Sequence, residues 1–177
     1  MAKYIASLCF SDIVDESIKS KYDQKIKNHN KERDNLNLDV ANANKYLDSG
    51  FDLFVPEDVI IQPGKIALIN MGVKCAVFTA VEPPAPPTPT PYYLYARSSV
   101  GKRGIMLVNS VGIIDSGYRG NLMASFYNTK DTEVIIKKGD RIVQICMPSL
   151  EKNYTIDVEN ALDSTARGEG GLGSTGK

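Results

Sequence analysis

The apolar residues of this chain fall, over most of its 177 residues, in short runs rich in Val, Ile, Tyr and Phe. Gly, Pro, Asn or Asp separates one run from the next, which is the pattern of β-strands joined by turns. Many short strands in succession are typical of sandwiches, jelly rolls and barrels, so we expect an all-β fold. Strands are predicted at 3–10, 51–55, 65–70, 72–81, 92–97, 105–108, 112–114, 121–128, 133–136, 141–148 and 154–158.

Residues 11–35 depart from this pattern, because their apolar side chains recur at every fourth position among charged ones. The spacing predicts a helix with a narrow apolar stripe, and Ser11 or Asp12 is available as its N-cap. The stripe consists of Val14, Ile18, Tyr22 and Ile26. We expect residues 11–46 to be a mainly helical insertion on the surface, with its charged residues facing solvent.

A second departure is the segment 82–91, EPPAPPTPTP, which has six prolines in ten residues. Proline lacks a backbone N–H, so this segment is expected to be an extended polyproline-like loop between two strands.

Composition excludes several classes of protein. The 21 basic and 21 acidic residues balance, so no overall basic field favours stable nucleic-acid or membrane binding. Cys9, Cys75 and Cys146 are odd in number and lie among apolar residues, which indicates buried thiols in a reducing compartment. No signal peptide or membrane-spanning run is present, so we expect an intracellular protein, cytoplasmic or nuclear.

The inventory of reactive side chains is small. His29 is the single histidine and lies in the polar helical segment, so Ser-His-Asp, Cys-His and zinc chemistry are poorly supported. The C-terminal GLGSTGK, 171–177, matches most of a phosphate-binding Walker A loop, but no Ser/Thr and no helix follow it. Its glycines still allow successive backbone N–H groups to converge on an oxyanion. Any general base is therefore expected to be a carboxylate, and the C-terminal segment is suited to binding phosphates.

Four further stretches carry polar residues that strand packing does not require. They are DSGFDLFVP at 48–56, YARSSVGKRG at 95–104, NSVGIIDSGYRG at 109–120 and KKGDRIVQI at 137–145. Taken singly, each has a structural explanation, such as a turn cap or a surface ion pair. Their order, together with the glycine-rich RGEGGLGSTGK at 167–177, favours a shared functional site.

In sequence order these stretches resemble the five motifs of the trimeric dUTPase family. GFDL resembles the first motif, ARSS the second, GIIDSGYRG the third, GDRIVQ the fourth and RGEGGLGSTG the fifth. The resemblance implies a jelly-roll or β-barrel domain over residues 1–165, followed by a flexible arm, 166–177, that closes an active site. It also implies a homotrimer in which each site is shared between copies, with the arm coming from a neighbouring subunit.

The family reaction is hydrolysis of dUTP to dUMP and pyrophosphate by Mg²⁺-assisted attack of water on the α-phosphorus. It limits uracil in DNA and supplies dUMP for dTMP synthesis. By resemblance, Asp115 orients and deprotonates the attacking water, and Gln144 helps to hold it. Asp52 acts on the Mg²⁺ through metal-bound water, since this ion prefers phosphate oxygens and water to protein carboxylates.

The resemblance also implies the residues that bind dUTP. Tyr118 lies under the deoxyribose and leaves no space for a 2′-hydroxyl, while Asn109 and main-chain groups near Gly112 and Ile113 pair with uracil. Arg97 and Ser98, together with Gln144, hold the α- and β-phosphates and the attacking water, and Arg167, Ser174 and Thr175 hold the γ-phosphate. The remaining residues expected at the substrate are Ser99, Gly171, Leu172 and Gly173. Leu172 stands where the family usually has an aromatic residue on the uracil ring.

Two alternatives remain. The same fold houses dCTP deaminases, and ARSS and IDSGYRG also resemble their motifs, although Ser125 stands where those enzymes place a catalytic glutamate. The chain could otherwise be a nucleotide-binding homologue whose catalysis is weakened.

Overall fold

The structure of the protein is a computed structural model that describes residues 3–38, 48–80, 85–150 and 153–171. Its first half contains β1 (Lys3–Phe10), α1 (Glu16–Leu38), β2 (Gly50–Phe54), β3 (Val59–Ile61), β4 (Ile66–Asn70), β5 (Val73–Ala80) and β6 (Thr88–Thr90). Its second half contains β7 (Tyr92–Ala96), α2 (Val100–Arg103), β8 (Ile105–Leu107), β9 (Val111–Ile114), β10 (Met123–Asn128), β11 (Val134–Ile136), β12 (Arg141–Cys146) and β13 (Tyr154–Val158).

The predicted all-β fold with one inserted N-terminal helix is confirmed. Every predicted strand occurs within a few residues of its expected bounds. Two strands of three residues each were not predicted. β3 is too short to show alternation and is stabilised by its pairing with β11, and β6 lies inside the proline-rich segment. β6 is the edge strand of the sheet β13-β1-β5-β6, where a proline is tolerated because one side of the strand has no ladder to complete.

Helix α1 lies on the surface with most of its charged side chains exposed, as expected. Its apolar stripe, which starts at Val14 just before the helix, is at most 8% exposed and belongs to the main hydrophobic cluster. The helix begins at Glu16, and Asp15 is the N-cap, because Asp15 Oδ1 accepts the Ile18 N–H at 3.2 Å. Ser11 instead donates its hydroxyl proton to the Gly72 carbonyl, 3.1 Å away. Residues 39–46 of the predicted insertion lie outside the described range.

Polar side chains fix α1 against two strands. The Phe54 N–H at the end of β2 donates to the Tyr22 hydroxyl at 2.8 Å. On β13, the Asn30 amide donates to the Ile156 carbonyl at 2.8 Å and accepts the Ile156 N–H at 3.1 Å. These bonds satisfy backbone groups that would otherwise be buried without partners. The helix therefore completes the edge of β13 and braces the end of β2.

Two of the three thiols are buried, as expected, but Cys9 is partly exposed. Burial raises the pKa of Cys75 to about 12 and the pKa of Cys146 to about 11, so neither thiol is a reactive nucleophile at neutral pH. Among the described helices, none combines the length and the apolar character that a membrane span requires.

One sheet, of order β2-β12-β7-β9, carries four of the five motifs along its strands and at their ends. On this sheet Gln144 of β12 lies between its register partners Asp52 of β2 and Tyr95 of β7. Side chains directly opposite each other in a ladder share a face, so Asp52 and Gln144 are neighbours. β9 pairs with β7 and forms the other edge of the sheet.

Candidate active site

The predicted site residues line two separate cavities. The first, which we call the β12 cavity, has a volume of about 470 Å³ and is lined among others by Asp52, Arg97, Ser98 and Gln144. The second, the β9 cavity, has a volume of about 150 Å³. Its lining includes Asn109, Gly112, Ile113, Asp115, Tyr118, Arg167 and Gly171.

Asp52 is the centre of charge in the β12 cavity. Its carboxylate is nearly buried, with the residue 7% exposed. Arg97 Nε lies 2.8 Å from one carboxylate oxygen, and Arg141 Nη1 lies 3.0 Å from the other. Lys25 Nζ, from helix α1, is 3.7 Å from that second oxygen. A carboxylate is stable at this depth because cations compensate it, and three cations for one acid leave an excess of positive charge.

Gln144 occupies space that only a glycine leaves free. Its amide Nε2 donates to the Ala96 carbonyl at 3.5 Å, the limit of a hydrogen bond. A Cβ placed on Gly50 would lie 2.0 Å from Gln144 Oε1, well inside the contact distance. The glycine of the GFDL stretch therefore sets the position of the predicted catalytic amide.

The two serines of the ARSS stretch differ in position. Ser98 is exposed and lines the β12 cavity. Ser99 precedes α2 and makes no side-chain capping bond, and it lines neither cavity. Of the predicted pair, the structure brings only Ser98 to the site.

The β9 cavity lies along an open strand edge. Since, among the strands that the structure describes, β9 pairs with β7 alone, its other side presents main-chain groups without a ladder partner there to this cavity. Gly112 packs against Leu94, and an added Cβ would approach the Leu94 Cβ to 3.0 Å. Ile113, which follows it, is 71% exposed.

Asp115 follows β9 directly, at the first position of a tight turn. The turn is closed by its backbone, because the Tyr118 N–H donates to the Asp115 carbonyl at 3.0 Å. The side-chain carboxylate therefore takes no part in closing the turn. It is exposed in the cavity and lies 3.1 Å from Arg167 Nη2. The Tyr118 hydroxyl donates to the Asn121 carbonyl at 2.7 Å, which fixes its ring beside the cavity. Partial burial raises the pKa of Tyr118, so the phenol is neutral at physiological pH.

Arg119 organises this turn, and sequence reasoning gave it no role. It is 6% exposed, and its Nη1 donates to the carbonyls of Ser116 and Tyr118, both at 2.9 Å. Its Nε lies 3.0 Å from Asp163 Oδ1, and its backbone N–H donates to the Gly168 carbonyl at 2.8 Å. Asp163 is 44 residues away in sequence, so no local pattern indicates this contact.

The described part of the C-terminal arm packs on the turn of its own chain. The Thr165 hydroxyl donates to the Gly117 carbonyl and accepts the Gly168 N–H at 3.0 Å. A Cβ on Gly171 would lie 3.1 Å from the Tyr118 ring. That the arm closes the active site of another copy stays a prediction. Leu172, Gly173, Ser174 and Thr175 lie outside the described residues.

One chain does not bring the two cavities together. In the β7–β9 ladder, Tyr95 pairs with Val111 and Tyr92 pairs with Ile114. Arg97 therefore follows one end of the ladder and Asp115 the other, about 20 Å apart at ~3.3 Å per residue.

Within the described residues no three His, Cys, Asp or Glu side chains form a cluster that could hold a metal ion directly. Asp52 fits an indirect role, because a carboxylate oxygen that accepts one ion pair keeps a lone pair for a water molecule.

Comparison with known proteins matches residues 37–176 to the dUTPase family. Deoxyuridine 5′-triphosphate nucleotidohydrolase of Mycobacterium marinum is 36% identical over 135 residues, covering 73% of this chain and 82% of the relative. The corresponding protein of Thermobifida fusca is 36% identical over 131 residues, covering 73% and 68%. Among solved structures, dUTPase from Streptococcus mutans is 34% identical with a TM-score of 0.45, over 55% of this chain and 75% of that chain. Nearly all of α1 precedes the matched range.

Proposed function

This chain belongs to the dUTPase family, and we propose that it hydrolyses dUTP to dUMP and pyrophosphate by attack of water on the α-phosphorus. The observation that carries the proposal is that every predicted site residue in the described range, except Ser99, lines one of two cavities. Such an enzyme would limit uracil in DNA and supply dUMP for dTMP synthesis.

The β9 cavity is the proposed site of the deoxyuridine moiety. Unpaired main-chain groups at the edge of β9 offer uracil the donors and acceptors that a second base would offer. Cytosine would leave buried groups without partners, and an unmade buried hydrogen bond is costly enough to give strong selectivity. The fixed Tyr118 ring, beneath the sugar, would exclude a 2′-hydroxyl.

Asp115 is the proposed base that orients and deprotonates the attacking water. Its carboxylate is exposed in the β9 cavity, and its present partner is Arg167, itself a predicted phosphate ligand. A triphosphate would attract the Arg167 guanidinium, since phosphate accepts from Arg in a bidentate manner. That exchange would free Asp115 as the substrate arrives.

The β12 cavity is the proposed phosphate site. Arg97 and the Ser98 hydroxyl are donors for the α- and β-phosphates, and the Gln144 amide can hold the attacking water. Catalysis then consists mainly of positioning and charge stabilisation. Bound Mg²⁺ would neutralise phosphate charge, and Asp52 would hold it through water.

The proposal is tested by pyrophosphate release from dUTP in the presence of magnesium, with dCTP and dTTP as competing substrates. We expect turnover of dUTP alone, and a fall of about 10²- to 10⁴-fold in kcat for Asp115→Asn. The matched control is Asp131→Asn, which alters an exposed acid that lines neither cavity. Ammonia release from dCTP would instead support deamination, and full activity of Asp115→Asn would refute the assigned base.

We infer that the two cavities complete each other in a homotrimer. The sheet β4-β10-β8 exposes apolar side chains on its outer face, between 36% and 59% exposed. The register sets Ile66, Tyr127 and Met106 in one row, with Leu68 and Val108 in the next. A contiguous apolar face of this kind favours association with another copy.

Leu68→Lys tests this face, because a charge on it would oppose burial. We expect the oligomer mass measured by light scattering to fall to that of the monomer, together with dUTP turnover. Ile60→Lys, on the separate β3–β11 pair, serves as the control and should keep both mass and turnover. An unchanged mass in Leu68→Lys would exclude the face.

A further inference from the structure

We propose that helix α1 adds a polyphosphate subsite to this protein, with Lys25 as its central ligand. Residues 16–36 of the helix precede the range that matches the dUTPase family. The ligand class is an inorganic pyrophosphate or the β- and γ-phosphates of a bound nucleotide, and its assignment to dUTP rests on the proposed function.

The subsite is a groove of about 460 Å³ between α1 and β2, which we call the α1 groove. It shares Asp48 and Gly50 with the β12 cavity, so the two are contiguous. Arg141 lines the groove and also binds Asp52 in that cavity. A phosphate chain held at Arg97 and Ser98 can therefore extend towards the helix without crossing the sheet.

Lys25 lies at the junction of the groove and the cavity, and among the described residues its ammonium group is held only by long contacts. Its ammonium lies 5.0 Å from the centroid of the Phe51 ring, a cation–π contact that orients the side chain. Its distance of 3.7 Å to Asp52 is longer than the two arginine contacts on the same carboxylate. Asp52 would thus stay compensated if Lys25 turned towards a phosphate, and the ammonium can be redirected at little cost.

The charges around the groove favour an anion. Lys21, Lys25 and Arg141 face the acids Glu32 and Asp48. The adjoining cavity adds Arg97 and Asp52, which leaves four cations for three carboxylates. The Lys21 ammonium also lies near Gly139, 2.6 Å from where a Cβ would stand, so it borders the GDRIVQ motif. A multivalent phosphate in the groove would contact Lys21 and Lys25 in addition to Arg97 and Arg141.

Titration calorimetry with inorganic pyrophosphate, dUMP and the unhydrolysable α,β-imido analogue of dUTP tests the subsite. We expect Lys25→Gln to weaken binding of pyrophosphate and of the analogue about tenfold, and to leave dUMP binding unchanged. Lys25→Arg should restore most of the affinity. The control is Lys27→Gln, an exposed lysine of the same helix outside the groove, which should bind all three ligands as the wild type does.

The outcomes separate this inference from the proposed function. If the wild type does not hydrolyse dUTP but its pyrophosphate affinity depends on Lys25, the function fails and the subsite stands. If the wild type hydrolyses dUTP while Lys25→Gln binds pyrophosphate and the analogue normally, the subsite is wrong. A purely structural role for Lys25 would lower the unfolding temperature and leave the ratio of analogue to dUMP affinity unchanged, which also overturns the subsite.

Discussion

At the scale of single residues, Asp52 shows how one acid can serve a site made for anions. An isolated carboxylate in a phosphate cavity would repel the substrate. Here the guanidinium groups of Arg97 and Arg141 bind one carboxylate oxygen each, and Lys25 approaches from the helix. The acid therefore holds cations in position, and under the proposed function the surplus positive charge would attract the phosphates.

Gly50 is a second residue whose importance is steric. A Cβ at this position would require the Gln144 amide to move, because the two would be 2.0 Å apart. The end of a glutamine side chain is flexible, so Gly50→Ala is expected to fold normally and displace only the amide. We predict that kcat for dUTP falls in Gly50→Ala about as far as in Gln144→Ala.

A double-mutant cycle on pyrophosphate release checks this coupling. If Gly50 acts through Gln144, the double variant should be no slower than Gln144→Ala alone. Additive losses would mean that Gly50 matters for another reason, such as the backbone of β2. Gly101→Ala, at a position with open space around it, is the control.

Residues that depend on local sequence could be predicted, and those that depend on distant partners could not. The place of Asp115 at the end of a strand and the start of a turn follows from the local sequence, and its role as the base stays a prediction. Arg119 and Arg141 were missed, since their partners Asp163 and Asp52 are far away in the chain. Ser99 was included because it resembles a motif residue, but the start of α2 turns it away from both cavities.

At the scale of secondary-structure elements, α1 illustrates the same limit. Its apolar residues recur at every fourth position, which predicts a helix, and these residues form its buried face. The sequence could not show which strands the helix packs on, because the hydrogen-bond partners of Tyr22 and Asn30 are set by the tertiary fold. The strands were predicted better, since their alternation and turn residues are local signals.

His29 connects this helix to β13, and its burial predicts a pH dependence of stability. Its Nε2 lies 3.0 Å from the Tyr154 carbonyl, and its ring packs against the rings of Phe51 and Tyr154. Desolvation lowers the pKa of His29 in the folded protein and outweighs the hydrogen bond with the Tyr154 carbonyl, which raises it; Lys25 and Arg33 also lower the pKa, against Glu32. The unfolded chain, with a His pKa of about 6.5, then binds more protons than the folded one as pH falls below neutral.

The free energy of unfolding should therefore decrease between pH 7 and pH 5, and decrease less in His29→Gln. The glutamine amide can still donate to the Tyr154 carbonyl but does not titrate. Asp15, Asp58 and Asp140 have lowered pKa values, so their contributions are lost only under more acidic conditions. Denaturant titrations at several pH values and a fixed protein concentration measure how the free energy of unfolding depends on pH. The same pH dependence in the wild type and in His29→Gln would refute the assignment to His29.

At the scale of the whole molecule, the distance between the two cavities is the decisive feature. A ladder of four residue pairs separates the end of β7, where the proposed phosphate ligands lie, from the end of β9, where the proposed base lies. Because strands are rigid along their length, no side-chain rotation brings Asp115 to Gln144 within one chain. If the enzyme works as proposed, the β12 cavity of one copy must face the β9 cavity of another.

Complementation between two inactive variants tests this arrangement directly. Arg97→Ala removes a ligand of the β12 cavity, and Asp115→Asn removes the base of the β9 cavity, so each homo-oligomer should be inactive. In mixed oligomers formed by co-refolding, a wild-type β12 cavity on an Asp115→Asn chain can meet a wild-type β9 cavity on an Arg97→Ala chain. Pyrophosphate release should then return to a fraction of the wild-type rate that depends on the mixing ratio.

The control pairs Arg97→Ala with Gln144→Ala, two lesions in the same cavity, and should stay inactive because every site then lacks one of the two side chains. If Arg97→Ala and Asp115→Asn also fail to complement after mixed oligomers have been isolated with two affinity tags, all catalytic groups must come from one chain, and the β7–β9 ladder cannot separate them in the working enzyme.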